Sequence, residues 1–79
     1  IVQDDDLQME AMAVAEKFAK GPTLTFAKTK ELFLKGIGAP FEEHFDYERG
    51  YQVKAAGTDD YAEGVRAMNK GAKPDFKGR

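Results

Sequence analysis

Glycine and proline divide the chain into four stretches, each no longer than a short helix, and this punctuation limits its fold more than any other feature. The breaks are Gly21-Pro22, the run Gly36-Ile37-Gly38-Ala39 ahead of Pro40, Gly57, and finally Gly71 and Pro74. Between them the apolar residues recur at helical rather than strand spacing. Leu7, Ala11, Val14 and Phe18 fall at i, i+4, i+7 and i+11, one continuous face of a helix. Tyr61, Val65 and Met68 make a similar stripe near the end. No segment alternates with period two, and there is neither a fixed-period repeat nor a low-complexity tract. The expected fold is therefore all-α: a small bundle of four helices at about 5–20, 22–36, 40–56 and 58–71, followed by an irregular basic tail.

Local chemistry supports these boundaries. The Asp4–Asp6 carboxylates suit the orphan amides and positive dipole end of a first helix, and Lys17 and Lys20 suit its last turn. Pro22 and Pro40 are tolerated at helix starts, where no amide partner is needed. In the second helix Phe26, Ala27, Phe33, Leu34 and Ile37 cluster on one side while Leu24 and Leu32 point elsewhere, so more than one neighbour should cover it. The third helix mixes Phe41, Phe45, Tyr51 and Ala55 with His44, Glu48 and Gln52 on one face. Buried polar groups need partners or water, so a network with adjacent helices is expected there. Gly50, in mid-helix, costs up to about 1 kcal/mol relative to alanine. For the fourth helix the N-cap candidates are Thr58, Asp59 and Asp60, and Asp60 with Glu63 has the spacing of a capping box. Gly64 reads as a point of close helix approach.

At 79 residues the chain forms at most one small domain. Chains of this size bury only about 60% of their unfolded surface. Below roughly 80 residues folds usually need disulfides, metals, partners or very regular helices. Cysteine is absent, which removes disulfides, thiolate zinc sites and thiol nucleophiles together. Helix packing or a partner must supply the missing stability. Ile1 is not an initiator methionine, and Ile1-Val2 running straight into acidic residues reads as a strand end. The chain is thus expected to be a piece of a longer protein, lacking its amino-terminal core. The start carries no signal peptide and no apolar run approaches the roughly 20 residues of a membrane span. No membrane partner and a cytoplasmic location are expected.

Catalytic chemistry is scarce. Serine is absent too, excluding a Ser/His/Asp triad and the phosphopantetheine serine of a carrier domain. His44 is the lone histidine, and of Glu43, Asp46 and Glu48 only Glu48 shares its face at i+4. An ordinary half-buried or surface histidine is the expectation, with no metal site. Glu42-Glu43 is accounted for by the helix dipole. Charge is asymmetric: Asp4, Asp5, Asp6, Glu10 and Glu16 dominate the first sixteen residues, whereas Lys70, Lys73, Lys77 and Arg79 face only Asp75 in the last ten. Such a tail is either a solvated, frayed end or an anion-attracting one. With one Phe among four cations it is too slight a footprint for nucleic acid.

Six short motifs, in order, carry a resemblance to the carboxyl-terminal region of the enoyl-CoA hydratase/isomerase (crotonase) superfamily. Val2-Gln3-Asp4-Asp5-Asp6-Leu7 resembles its V-P-D-D-E-L junction, and Ala15-Glu16-Lys17-Phe18-Ala19-Lys20-Gly21-Pro22 its A-x-x-[IL]-A-x-G-P helix end. Ala27-Lys28-Thr29-Lys30 is similar to A-x-x-K, Phe41-Glu42-Glu43 to L-E-E, and Asp60 with Glu63-Gly64 to D-x-x-E-G. Lys73-Pro74-Asp75-Phe76-Lys77-Gly78-Arg79 resembles the terminal K-P-x-F-x-G-R. Within the superfamily, Tyr47-Glu48-Arg49, Tyr51-Gln52, Ala56-Gly57 and Asp60-Tyr61 are similar to the ring-epoxide isomerases of phenylacetate breakdown.

The resemblance implies an enzyme of lyase or isomerase type in fatty acid metabolism, with its catalytic carboxylates and oxyanion hole in an upstream spiral core. This chain would hold no catalytic residue, no metal and no cofactor, the acyl-CoA thioester being the substrate of the larger enzyme. It would serve as a carboxyl-terminal domain that packs on that core, joins a homo-oligomer (trimer or hexamer) and closes the acyl-CoA site. Met68, Lys70, Lys73 and Phe76 are the implied CoA-binding residues. Three positions depart from the family: Met68 stands where Phe is frequent, Gly71 where a basic residue is, and Pro40 where Ser is favoured as N-cap. A stand-alone helical module that docks proteins through its second helix is the alternative.

Overall fold

The computed structural model describes all residues, Ile1–Arg79. A 3-10 turn at Asp4–Asp6 leads into α1 (Leu7–Ala19), followed by α2 (Thr23–Gly36), α3 (Phe41–Ala56) and α4 (Asp59–Lys70); there are no strands. All four helices lie where the glycine and proline breaks put them. The acidic start differs from expectation in detail. Asp4–Asp6 form a tight 3-10 turn in front of α1, and neither Gln3 nor Asp6 caps it through a side chain. Their carboxylates act through the dipole alone. Pro22 and Pro40 each sit one residue outside their helix, where their carbonyls accept the Phe26 and His44 amides at 3.1 and 3.0 Å.

The organising unit is an antiparallel α2–α3 hairpin. One column of α2, running through Lys28, Glu31 and Lys35, meets Tyr47, Tyr51 and Lys54 of α3. The Tyr51 hydroxyl donates to Glu31 Oε2 at 2.8 Å and accepts from Lys35 Nζ at 2.9 Å. Lys28 bonds the same Glu31 carboxylate, and Lys35 also lies 4.5 Å from the centre of the Tyr47 ring. A polar network between the helices was expected for His44, Glu48 and Gln52; the one that forms is built on Tyr51 instead, while Glu48 and Gln52 are exposed to water. His44, pressed against Gly36 at the closed end of the hairpin, has a buried Nδ1 without a partner.

Thr58 links α3 to α4. Its hydroxyl donates to the Ala55 carbonyl at 2.7 Å and accepts the Tyr61 amide at 3.1 Å, so it is the N-cap of α4. At the other end Gly71 closes the helix in the left-handed region with φ 61°. Ala72 N–H reaches the Ala67 carbonyl and Gly71 N–H the Met68 carbonyl, the paired bonds of a Schellman motif. Only glycine takes that conformation without strain.

The helix α1 meets the rest of the molecule at its carboxyl-terminal end, where Phe18 packs edge-on against Phe26 with ring centres 5.5 Å apart. Its apolar face is otherwise uncovered: Leu7, Val14 and both flanking methionines, Met9 and Met12, are exposed. Toward the end of α2 the apolar side chains are equally bare, with Phe33 76% and the following Ile37 80% exposed. The cover expected for the apolar sides of α2 is therefore incomplete within the chain.

Only Ala67 and Asp60 are buried in the whole chain. The radius of gyration is 16.0 Å, against about 11.6 Å for a compact domain of this length. The accessible surface of 6742 Å² exceeds by about 2,000 Å² the roughly 4,800 Å² expected for a compact protein of this mass. A standard interface covers about 800 Å² per partner, so the surplus is more than two such interfaces. The fold is open, and its apolar faces are uncovered within the chain.

Candidate functional site: the tail folded along the fourth helix

The sequence left the basic tail as either frayed or anion-attracting. The structure shows it folded back antiparallel along α4 and fixed at three levels. Nearest the helix end is the Schellman pair at Ala67 and Ala72. In the middle, Glu63 Oε1 accepts the Asp75 amide at 3.0 Å while its carboxylate is gripped by the Arg66 guanidinium. At the far level the Asp60 carboxylate accepts the Lys77 and Gly78 amides at 2.7 and 2.9 Å, and the Asp60 N–H donates to the Arg79 carbonyl at 2.8 Å.

Asp60 and Glu63 therefore do not form a capping box. The helix amides are served by Thr58, and both carboxylates turn outward to backbone donors of the tail. Their three-residue spacing sets them one turn apart on the same side of α4, which matches a chain running alongside it. Asp60 is 3% exposed, a buried charge made tolerable by two amide bonds. The Arg66 hydrogen bond, together with the Asp75 amide, holds the Glu63 carboxyl down at about 2.

Gly64 also has a role other than the expected one. No helix approaches it; the Phe76 ring of the tail lies over it, 3.6 Å from where a Cβ would stand. Phe76 thereby lines a groove of about 300 Å³ with Met68, Val65, Tyr61 and Pro22. Met68 is 75% exposed. Of the implied CoA-binding residues the fold thus brings Met68 and Phe76 together in one apolar groove. Lys70 ends α4 and Lys73 follows in the tail; neither has an ion-pair partner. The other two cations of the tail are engaged, Lys77 with Asp75 at 2.9 Å and Arg79 with Asp59 at 3.6 Å.

Elsewhere, His44 and Glu48 line a second groove of about 480 Å³ with Leu32, Phe33 and Ile37, and no cluster of three metal-ligating groups forms anywhere in the chain. No helix is long and apolar enough to cross a membrane. Sequence reasoning found the motif residues Asp60, Glu63 and Phe76 but not their contacts with the tail amides and with Gly64. The signal that was available is the three-residue spacing of Asp60 and Glu63 on α4 ahead of a short tail broken by Pro74 and Gly78.

Fold and site together define an open, all-α segment with uncovered apolar faces and a carboxyl-terminal strap tied to its last helix. Over 78 residues, 99% of this chain, it is 32% identical to a protein of Rhodobacter capsulatus described as a probable enoyl-CoA hydratase. The chain spans 30% of that protein's length. No family model matches the chain.

Proposed function

We propose that this chain is the carboxyl-terminal helical domain of an enoyl-CoA hydratase/isomerase-like enzyme of the crotonase superfamily. It holds no catalytic residue of its own; it packs on an amino-terminal spiral core, contributes oligomer contacts and closes the acyl-CoA site. The observation that carries this reading is the 32% identity, along nearly the whole chain, to a probable enoyl-CoA hydratase three times its length. The surplus surface of about 2,000 Å² supports it, because a domain that completes a larger enzyme must keep apolar faces for that enzyme to cover.

In this reading Met68 and Phe76 offer the adenine ring an apolar groove, and Lys70 and Lys73 offer the phosphates two cations outside any ion pair. Point charges on long stems tolerate displacement of a phosphate better than a bidentate contact does. A place nearer the ring-epoxide isomerases rests on Tyr47-Glu48-Arg49, Tyr51-Gln52, Ala56-Gly57 and Asp60-Tyr61 alone. Product analysis of the complete enzyme with an epoxide-bearing acyl-CoA decides that finer assignment.

The test is a titration of the chain with CoA, followed by amide resonances. Shifts confined to residues 68–77 are expected; an unchanged spectrum at millimolar CoA overturns the nucleotide-side role. The second reading, an independent module docking proteins through α2, is favoured by the exposure of Phe33, Leu34 and Ile37. It predicts no response to CoA at all.

A further inference from the structure

We infer that Asp60 is the positioning residue of the tail, acting on the ligand groove through Phe76. This inference rests on the CoA reading above and adds to it the device that sets the geometry of the site. Three hydrogen bonds converge on Asp60 from three consecutive tail residues: the Lys77 and Gly78 amides onto its carboxylate, and its own N–H onto the Arg79 carbonyl. No other residue in the chain ties two segments so densely. The bonds lie directly beyond Phe76, so fixing residues 77–79 seats the ring over Gly64 at 3.6 Å.

The carboxylate is matched to its task. Ionised, it is acceptor-only and can take two amides at once, one on each oxygen. An asparagine offers one acceptor and one donor, and so faces either the Lys77 or the Gly78 amide with a second donor. Gly78 completes the fit from the other side. Its φ of 76° is in the left-handed region, and a Cβ there would stand 2.8 Å from the Thr23 hydroxyl. The tail is thus held between Asp60 of α4 and the first residue of α2. A side chain at position 78 is excluded on both counts.

Two variants test this, and they break the latch from opposite sides. Asp60→Asn removes the double acceptor. Gly78→Ala strains the tail where it lies outside every helix, so it cannot unfold them. In the parent chain the Lys77 and Gly78 amide protons should resonate downfield and exchange slowly, as amides bonded to a carboxylate do. In both variants they should move upfield and exchange freely, while far-UV circular dichroism stays unchanged. Affinity for CoA should fall in proportion to the docked fraction, roughly fivefold for a tail docked one-fifth of the time. Retained protection of Lys77 and Gly78 in both variants would overturn the latch. A released tail with unchanged CoA affinity would overturn the positioning role and leave the CoA reading standing. A protected tail in a parent chain that ignores CoA would instead overturn the CoA reading.

Discussion

The same substitution, glycine to alanine, should move stability in opposite directions at Gly50 and Gly71. At both positions a new Cβ meets nothing within 4 Å, so packing plays no part in the difference. Gly50 lies inside α3 with an ordinary negative φ, and alanine there recovers about 0.8–1 kcal/mol of helix propensity. Gly71 holds φ 61° at the end of α4, where an L side chain costs roughly 1–2 kcal/mol. For a domain of this length 1 kcal/mol moves the melting midpoint by about 4–8 °C. Gly50→Ala should therefore raise it by about 3–8 °C, and Gly71→Ala should lower it by at least about 4 °C. Thermal melts followed at 222 nm, all at one protein concentration because association shifts the midpoint, measure both. Shifts of the same sign, or an unmoved midpoint for Gly71→Ala, would refute the assignment of Gly71 to the left-handed helix end.

Tail docking should depend on pH through Glu63. Its carboxyl is held at about 2 in the folded chain, below the ordinary 4.5, so its contribution is complete above 4.5 and fades as pH falls toward 2. The Glu63 side-chain carboxyl carbon resonance reports this directly, and a midpoint near 4.5 would contradict the Glu63 contacts with Arg66 and the Asp75 amide. Tyr51→Phe removes the hydroxyl that is the main cause of the lowered Glu31 pKa, with Lys28 second. Carboxyl titration by NMR should show Glu31 moving up toward 4.5, and an unmoved Glu31 would sink the Tyr51 network. Phe26→Ala takes away the edge contact that ties α1 down, worth about 0.5–1.5 kcal/mol beyond area burial. Amide exchange in α1 should then accelerate while α3 and α4 keep their rates; uniform acceleration would mean that α1 is held elsewhere.

The helices were legible because their limits are local. Gly21-Pro22, Gly36 to Pro40 and Gly57 end or begin helices by their own backbone chemistry, and each break falls where those residues stand. The N-cap of α4 was less legible. Thr58, Asp59 and Asp60 are all good caps, and choosing among them needs the tail, whose amides claim Asp60 from 17 and 18 residues away. For the same reason Gly64 suggested a helix neighbour when its actual neighbour is Phe76. The Glu31–Tyr51 bond crosses 20 residues and could be anticipated only as a need for partners, not as a particular pair. Helical spacing gave the apolar faces of α1 and α2 correctly, yet spacing alone does not tell whether a face is covered within the chain.

That last question is the central one, and solution scattering combined with sedimentation velocity addresses it directly. A domain built to be covered should, when diluted, be an open monomer that binds an apolar dye and has a Cα radius of gyration near 16.0 Å. As concentration rises it should associate through its bare faces. A monodisperse particle of about 11.6 Å that binds no dye at any concentration would contradict this account, because such a chain would have closed a core of its own.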